Sequence, residues 1–240
     1  MDNFIKPNWP APTNIHAYST TRHGGFSQAP FNEFNLGLHV GDEEQHVIKN
    51  RRSLTSKLKL PAEPLWLNQI HSNLCVNASS PSTKEADASF TNCENTVCIV
   101  MTADCLPILL CNQEGSQVAA IHAGWRGLND GIISNTVAKF NTYSPIMAWL
   151  GPCISQQHFE VGSEVREVFL QSTPNAESAF IPQGSKYLAS LPQLAQLQLA
   201  ELEVEAVYSC DECTFSKKDD YFSYRRDQQT GRMASLLWIS

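Results

Sequence analysis

The stretch Val97-Cys98-Ile99-Val100-Met101, Thr102-Ala103-Asp104-Cys105, Pro107-Ile108-Leu109-Leu110-Cys111 decides how this chain folds. The first run is a continuous apolar strand of the kind buried on both faces. A polar break at Thr102–Cys105 interrupts it, and the second run resumes the strand pattern. Asn112-Gln113-Glu114-Gly115 then reads as a hairpin turn. Val118-Ala119-Ala120-Ile121 returns as a further strand and ends on His122, where Gly124 and Gly127 bracket a tight turn. Ile132, Ile133, Thr136, Val137 and Phe140 follow at the spacing of an amphipathic helix.

Outward from this centre the pattern repeats. Asn14–Thr20 reads as a strand and Arg22-His23-Gly24-Gly25 as a turn. Asp42 with Gln45 resembles a capping box for a helix carrying Val47, Ile48, Arg51, Leu54 and Leu58, which Pro61 ends. Leu65–Ile70 reads as a strand that delivers His71. Ile146–Leu150 is another strand, Glu160–Gln171 a helix, Leu188–Leu202 a helix starting or kinking at Pro192, and Val204–Ser209 and Met233–Ile239 the last strands. Strands outnumber helices, and hairpins mix with crossovers, which predicts an α+β domain with mixed β-sheets and helices outside. No linker divides residues 1–240, so a single domain is expected.

Composition narrows the function classes. With 17 basic against 24 acidic residues the net charge is −7, so the chain lacks the positive field that nucleic acid requires. The start, Met1-Asp2-Asn3-Phe4-Ile5-Lys6-Pro7, has no signal-peptide core, and no apolar run is long enough to span a membrane. A soluble, cytoplasmic protein with neither a nucleic-acid nor a membrane partner is expected. Eight cysteines without a secretion signal then read mostly as reduced, buried thiols. Cys210-Asp211-Glu212-Cys213 has the spacing of a redox or metal knuckle, but no second pair completes it. It reads as structural thiols, and Phe222–Ser235 reads as a hairpin lining the core or cleft.

One thiol and two imidazoles stand at the edges of strand-like runs: His71, Cys105 and His122. Such a set suits a zinc ion and leaves a tetrahedral ion one ligand short, as in catalytic sites. The same residues support another reading, a Cys105 nucleophile activated by His71 or His122. Spacing does not separate the two. Asp104 stands beside the thiol as a candidate general base or as an acceptor orienting a ligand histidine. Arg22 and Arg126 are candidate anion clamps, and Asn35 a candidate contact to a ribose or base edge.

The motifs Thr20-Thr21-Arg22-x-Gly24-Gly25-x-Ser27, Asn35-Leu36-Gly37, Gln69-x-His71, Ala86-Asp87-Ala88, Thr102-Ala103-Asp104-Cys105-x-Pro107, His122-Ala123-Gly124-Trp125-Arg126-Gly127, Gly151-Pro152, Phe159-Glu160-Val161-Gly162 and Tyr224-Arg225-Arg226-Asp227-x-x-Thr230-Gly231-Arg232 occur in this order. Together they resemble the bacterial YfiH/YlmD family, once called multicopper polyphenol oxidases or laccase-domain proteins, over nearly the whole chain. The resemblance implies a four-layer α/β/β/α fold, shared with a deamidating toxin. It implies one zinc on His71, Cys105 and His122, with Cys105, Asp104, His71 and His122 as catalytic residues.

The implied activities are phosphorolysis of adenosine, inosine, guanosine and S-methyl-5′-thioadenosine, and deamination of adenosine. A purine nucleoside and phosphate would be the small-molecule partners, bound to a monomer or weak homo-oligomer. In deamination a metal-activated water would attack C6, with Asp104 shuttling the proton. In phosphorolysis Arg22 and Arg126 would hold the phosphate. Two alternatives accompany this reading. One is a hydrolase of a cell-wall amino-sugar peptide precursor, acting through the zinc water or Cys105. The other is a copper-dependent polyphenol oxidase using Cu2+, for which seven histidines are few.

Overall fold

The computed structural model describes residues 4–140 and 143–240, so residues 1–3 of the amino-terminal reading lie outside the described residues. Two sheets stack face to face. The first orders β1 (Phe4–Ile5), β2 (Ile15–Thr20), β13 (Met233–Ile239) and β5 (Cys98–Thr102), all antiparallel. The second orders β12 (Ala206–Ser209), β8 (Ile146–Leu150), β6 (Leu106–Asn112), β7 (Val118–Ala123), β4 (Ala88–Thr91) and β3 (Cys75–Asn77). It is mixed, with β12–β8 and β3–β4 parallel. A small third sheet joins β10 (Phe180–Gln183), β11 (Lys186–Ala189) and β9 (Glu160–Val161).

The continuous apolar runs are explained by three cores. Alternate side chains of a strand point to opposite faces. Cys98 and Val100, Leu109 and Cys111, Met147 and Trp149, and Leu237 and Ile239 therefore meet between the sheets. Ile99, Met101, Leu236 and Trp238 face the other way, onto Leu54 of α1 (Glu44–Leu58) and onto Phe34 and Leu36. On the far side, Leu106, Ile108, Leu110, Ile121 and Leu150 pack on residues of four helices. These are α2 (Trp125–Asn129), α3 (Ile132–Val137), α4 (Ser163–Ser172) and α5 (Leu191–Glu201). The layers run α/β/β/α. Neither face of a strand such as β6 reaches water, so no polar alternation is needed.

Several local expectations change. Leu65–Ile70 forms no strand; only Asn68 makes an isolated bridge, to Glu85. Asp42 does not cap α1, because its carboxylate accepts from Glu43 N and Asn35 Nδ2 instead. The cap position falls to Glu43, which makes no side-chain capping bond. Gly127 lies inside α2 rather than closing a turn. Glu160–Val161 and Lys186–Ala189 are strands that precede α4 and α5. The stretch after Phe222 opens with a short helix, α6 (Tyr224–Asp227), because the Ser223 side chain accepts from Arg226 N and starts a turn.

Candidate metal centre

β5 is the edge strand of its sheet, and its exposed backbone is used to deliver His71. The Gln69 amide donates to Met101 O at 2.7 Å and accepts from Met101 N at 2.7 Å. One side chain thereby replaces a missing strand neighbour. Two residues on, His71 takes a left-handed backbone, φ 60°.

The bend at 70–72 is held by the wholly buried Asp87. Its carboxylate accepts from Ile70 N (3.2 Å), His71 N (3.0 Å), Ser72 N (2.6 Å) and Ser72 Oγ (2.7 Å). The same carboxylate meets His122 Nδ1 at 2.8 Å, while Asp87 O accepts from His122 N. One anion thus fixes both histidines, and by engaging Nδ1 it leaves His122 Nε2 for a ligand bond. The sequence reading named no role for Asp87. Its signal was a carboxylate framed by two small apolar residues, Ala86 and Ala88.

Cys105 sits where β5 breaks before β6. Asp104 has φ 90°, which turns its side chain away from the thiol. The Asp104 carboxylate accepts from Thr214 Oγ1 (2.7 Å), Ser223 Oγ (3.0 Å) and Arg225 N (2.6 Å). Of the two roles read for Asp104, general base or acceptor orienting a histidine, the second is taken by Asp87, which holds His122 Nδ1. Asp104 ties the bend to the segments around Thr214 and Ser223.

The three donors converge. Cys105 Sγ lies 4.0 Å from His71 Nε2, and all three donor atoms lie within 4.8 Å of one another. The two imidazole rings are 4.9 Å apart at 72°. A tetrahedral zinc with bonds near 2.0–2.3 Å spaces its donors about 3.5 Å apart, so small side-chain rotations close the set. Gly124 keeps this space clear, since a Cβ there would stand 3.0 Å from Cys105 Sγ and 3.1 Å from His71 Cδ2. His122 is buried, Cys105 half-buried and His71 exposed, so the centre opens on the His71 side. The donor set and its support fit a metal ion.

The electrostatics agree. Burial pushes the Cys105 thiol up, and the His122 and His71 imidazoles more than reverse it, to about 6. Burial works against a charged His122, and the charges and hydrogen bonds of Cys105 and Asp87 raise it to about 9. Asp87 is itself held below the usual carboxylate range, because bonds from His122 and Ser72 outweigh its burial. Elsewhere burial alone pushes Cys111 up to about 12. A thiolate is stabilised only at position 105 in this way, beside imidazoles.

The substrate-binding candidates lie in other networks. Arg22 donates through Nε to Asn32 O and through Nη1 to Lys218 O, with its guanidinium 4.6 Å over the Phe222 ring. It lines a polar cleft of about 630 Å³ that also holds Arg226, Asp219 and Asp227, and carries none of the three metal ligands. Asn35 is 0% exposed, with no face open to solvent. Its amide instead joins Gly37, Asp42 and Arg232 N. Arg126 is exposed on α2, 4.5 Å over the Trp125 ring. No disulfide forms among the described residues, and no described helix is long and apolar enough to cross a membrane.

Known proteins place this geometry. A family model described as multi-copper polyphenol oxidoreductase laccase matches residues 16–240. The chain is 48% identical over 242 residues to a protein of Escherichia coli named purine nucleoside phosphorylase YfiH, covering 100% of both. It is 48% identical to a purine nucleoside phosphorylase of Haemophilus influenzae, covering 98% of each. Among solved structures, a Neisseria meningitidis protein superposes with a TM-score of 0.95 at 46% identity, covering 100% of both chains. YlmD from Geobacillus stearothermophilus superposes at 0.90 with 28% identity, covering 99% of this chain and 96% of that one. The chain belongs to the YfiH family of multicopper polyphenol oxidoreductase laccase proteins.

Proposed function

We propose that the chain is a cytoplasmic, zinc-dependent purine nucleoside phosphorylase acting on adenosine, inosine, guanosine and S-methyl-5′-thioadenosine, with adenosine deamination as a second activity of the same centre. The observation that carries this reading is the convergence of His71, Cys105 and His122 behind Asp87, in a chain closely similar to proteins named for phosphorolysis. A single ion held by three protein ligands supplies Lewis acidity at an open position. The chain's own residues do the rest. Asp87 fixes the His122 tautomer, Gln69 and Asp87 set the height of His71, and Gly124 leaves room for a reactant. In phosphorolysis a phosphate oxygen forms the new bond at C1′, while the bond to the purine nitrogen breaks and the base leaves with a proton.

Purified protein should carry about one zinc and convert inosine plus phosphate to hypoxanthine and ribose 1-phosphate; adenosine alone should yield inosine. No purine release by metal-replete protein would end the phosphorylase reading. One triad among the described residues favours a one-ion centre over a multicopper oxidase, and Cu2+-loaded protein should then oxidise no phenol with O2.

The lowered Cys105 thiol favours one second reading, a cysteine hydrolase of an amino-sugar peptide. A thioester trapped on Cys105 in metal-free protein would establish it.

A further inference from the structure

We propose that Arg232 is the oxyanion seat of this centre and takes free inorganic phosphate. The proposal rests on the phosphorylase reading above. Met233 pairs with Thr102, so Arg232 leaves the end of β13 opposite the bend that carries Cys105. Its backbone is pinned on both sides: N donates to Asn35 Oδ1 (2.9 Å), and O accepts from Leu36 N (3.1 Å). The side-chain stem crosses Gly37, where a Cβ would stand 2.8 Å from Arg232 Cγ and 3.3 Å from its Cβ.

The guanidinium is only partly used. Nη1 donates to Thr230 O (2.9 Å) and Gly231 O (3.0 Å), which fixes the plane of the fork. Among the described residues Nε and Nη2 meet no protein acceptor, and no carboxylate pairs with the side chain. Neighbouring arginines differ. Arg51 gives both Nε and Nη2 to Leu36 O, and Arg226 gives Nε, Nη1 and Nη2 to carbonyls and Asp227. The ring of Tyr224, 52% exposed, lies 5.9 Å from the Arg232 guanidinium and forms one wall.

The position matches the metal side of the centre. Tyr224, whose ring faces the Arg232 guanidinium, precedes Arg225, whose N donates to the Asp104 carboxylate next to Cys105. A chain of net charge −7 repels a phosphate dianion overall, so binding needs a local cation with free donors. A fixed fork with two unused N–H groups presents them as a bidentate pair to an oxyanion.

Steady-state kinetics on metal-replete protein, with inosine and phosphate varied separately, test this in wild type, Arg232→Met, Arg232→Lys and Gly37→Ala. Loss of one charged donor pair should raise the phosphate KM about 10- to 100-fold in Arg232→Met, with the inosine KM within about twofold. Lys restores charge without the fork and should fall between. Gly37→Ala forces the stem aside and should move the phosphate KM the same way, so it carries the test should Arg232→Met fail to fold. Stabilisation of the thermal midpoint by phosphate alone, without nucleoside, should vanish in Arg232→Met.

An unchanged phosphate KM in Arg232→Met, in an enzyme that does phosphorolyse inosine, overturns the seat and leaves the activity standing. Phosphate stabilisation through Arg232 in a protein that releases no purine does the reverse. Stabilisation by adenosine 5′-phosphate but not by inorganic phosphate overturns the assignment to free phosphate.

Discussion

Two thiol neighbourhoods lie close together in this fold, and only one of them gathers a donor set that could hold a metal ion. Cys105 and Cys213 are both half-buried with thiols held below the usual range. At Cys213 burial pushes up, and hydrogen bonds from Ser155 and Ser216 reverse it. At Cys105 the reversal comes from two imidazoles. Both arrangements stabilise a thiolate, but an amide N–H offers no lone pair and a neutral hydroxyl is not among the usual zinc ligands, whereas imidazole nitrogens are. Cys153, which bridges to Cys213 through the backbone, is buried and pushed well above the usual thiol value. The difference lies in the chemistry of the neighbours; the Cys-x-x-Cys spacing contributes nothing to it.

The largest test of this contrast removes a ligand. Cys105→Ala or His122→Ala should empty the centre of metal and lower phosphorolysis by about 1,000-fold or more, since a lost Lewis acid is worth several kcal/mol. Elemental analysis and hypoxanthine release read both. Metal retained in Cys105→Ala would show that the ion is held elsewhere.

Asp87→Asn comes next. It keeps the shape but weakens the acceptor for His122 Nδ1 and for the amides of residues 70–72. Metal affinity should fall about 10- to 100-fold, as for other carboxylates behind a ligand histidine. Competition with a chelator of known affinity measures it, and an unchanged value would make Asp87 a purely structural anchor.

Thiol chemistry sharpens the contrast further. In metal-stripped protein Cys105 should be alkylated with a midpoint near pH 6, protonated and silent below it and reactive above. Cys98 and Cys111, pushed to about 12 by burial, should stay unmodified until the protein unfolds. Peptide mapping after iodoacetamide treatment at graded pH distinguishes them. A Cys105 midpoint near the ordinary thiol value would remove the imidazole effect.

The sequence pattern located the cores better than the support of the site. Val97–Met101 and Pro107–Cys111 show as strands because both faces are covered, a condition that continuous apolar runs report directly. The three residues of the candidate centre were also legible, because Cys and His beside apolar runs carry a chemical signature. The partners were not. Asp87 lies 35 residues from His122 along the chain, and nothing local marks that pairing. Asp104 adjoins Cys105, yet adjacency says nothing of direction, and a left-handed backbone sends its carboxylate to Thr214 and Ser223. Gln69 resembles a strand residue because its side chain, not its backbone, pairs with β5. Arg22 reads as a free cation, but its donors go to carbonyls 10 and 196 residues away.

The smallest expected effect is at Cys213. Its sulfur accepts from Ser155 N (3.4 Å) and Ser216 N (3.5 Å) and contacts Ser155 Oγ at 3.1 Å. Serine keeps an acceptor in place but on a shorter bond, so Cys213→Ser should cost about 1 kcal/mol of stability. Metal content should be unaltered, because no imidazole is involved. The residue after it is the sensitive one: Thr214 N donates to Cys153 O, and Thr214 Oγ1 to the Asp104 carboxylate that sets the Cys105 bend. If Cys213→Ser also loses metal, the strain has travelled through Thr214 and Asp104, and the two thiol neighbourhoods form one unit. A lowered thermal midpoint with full zinc keeps them separate.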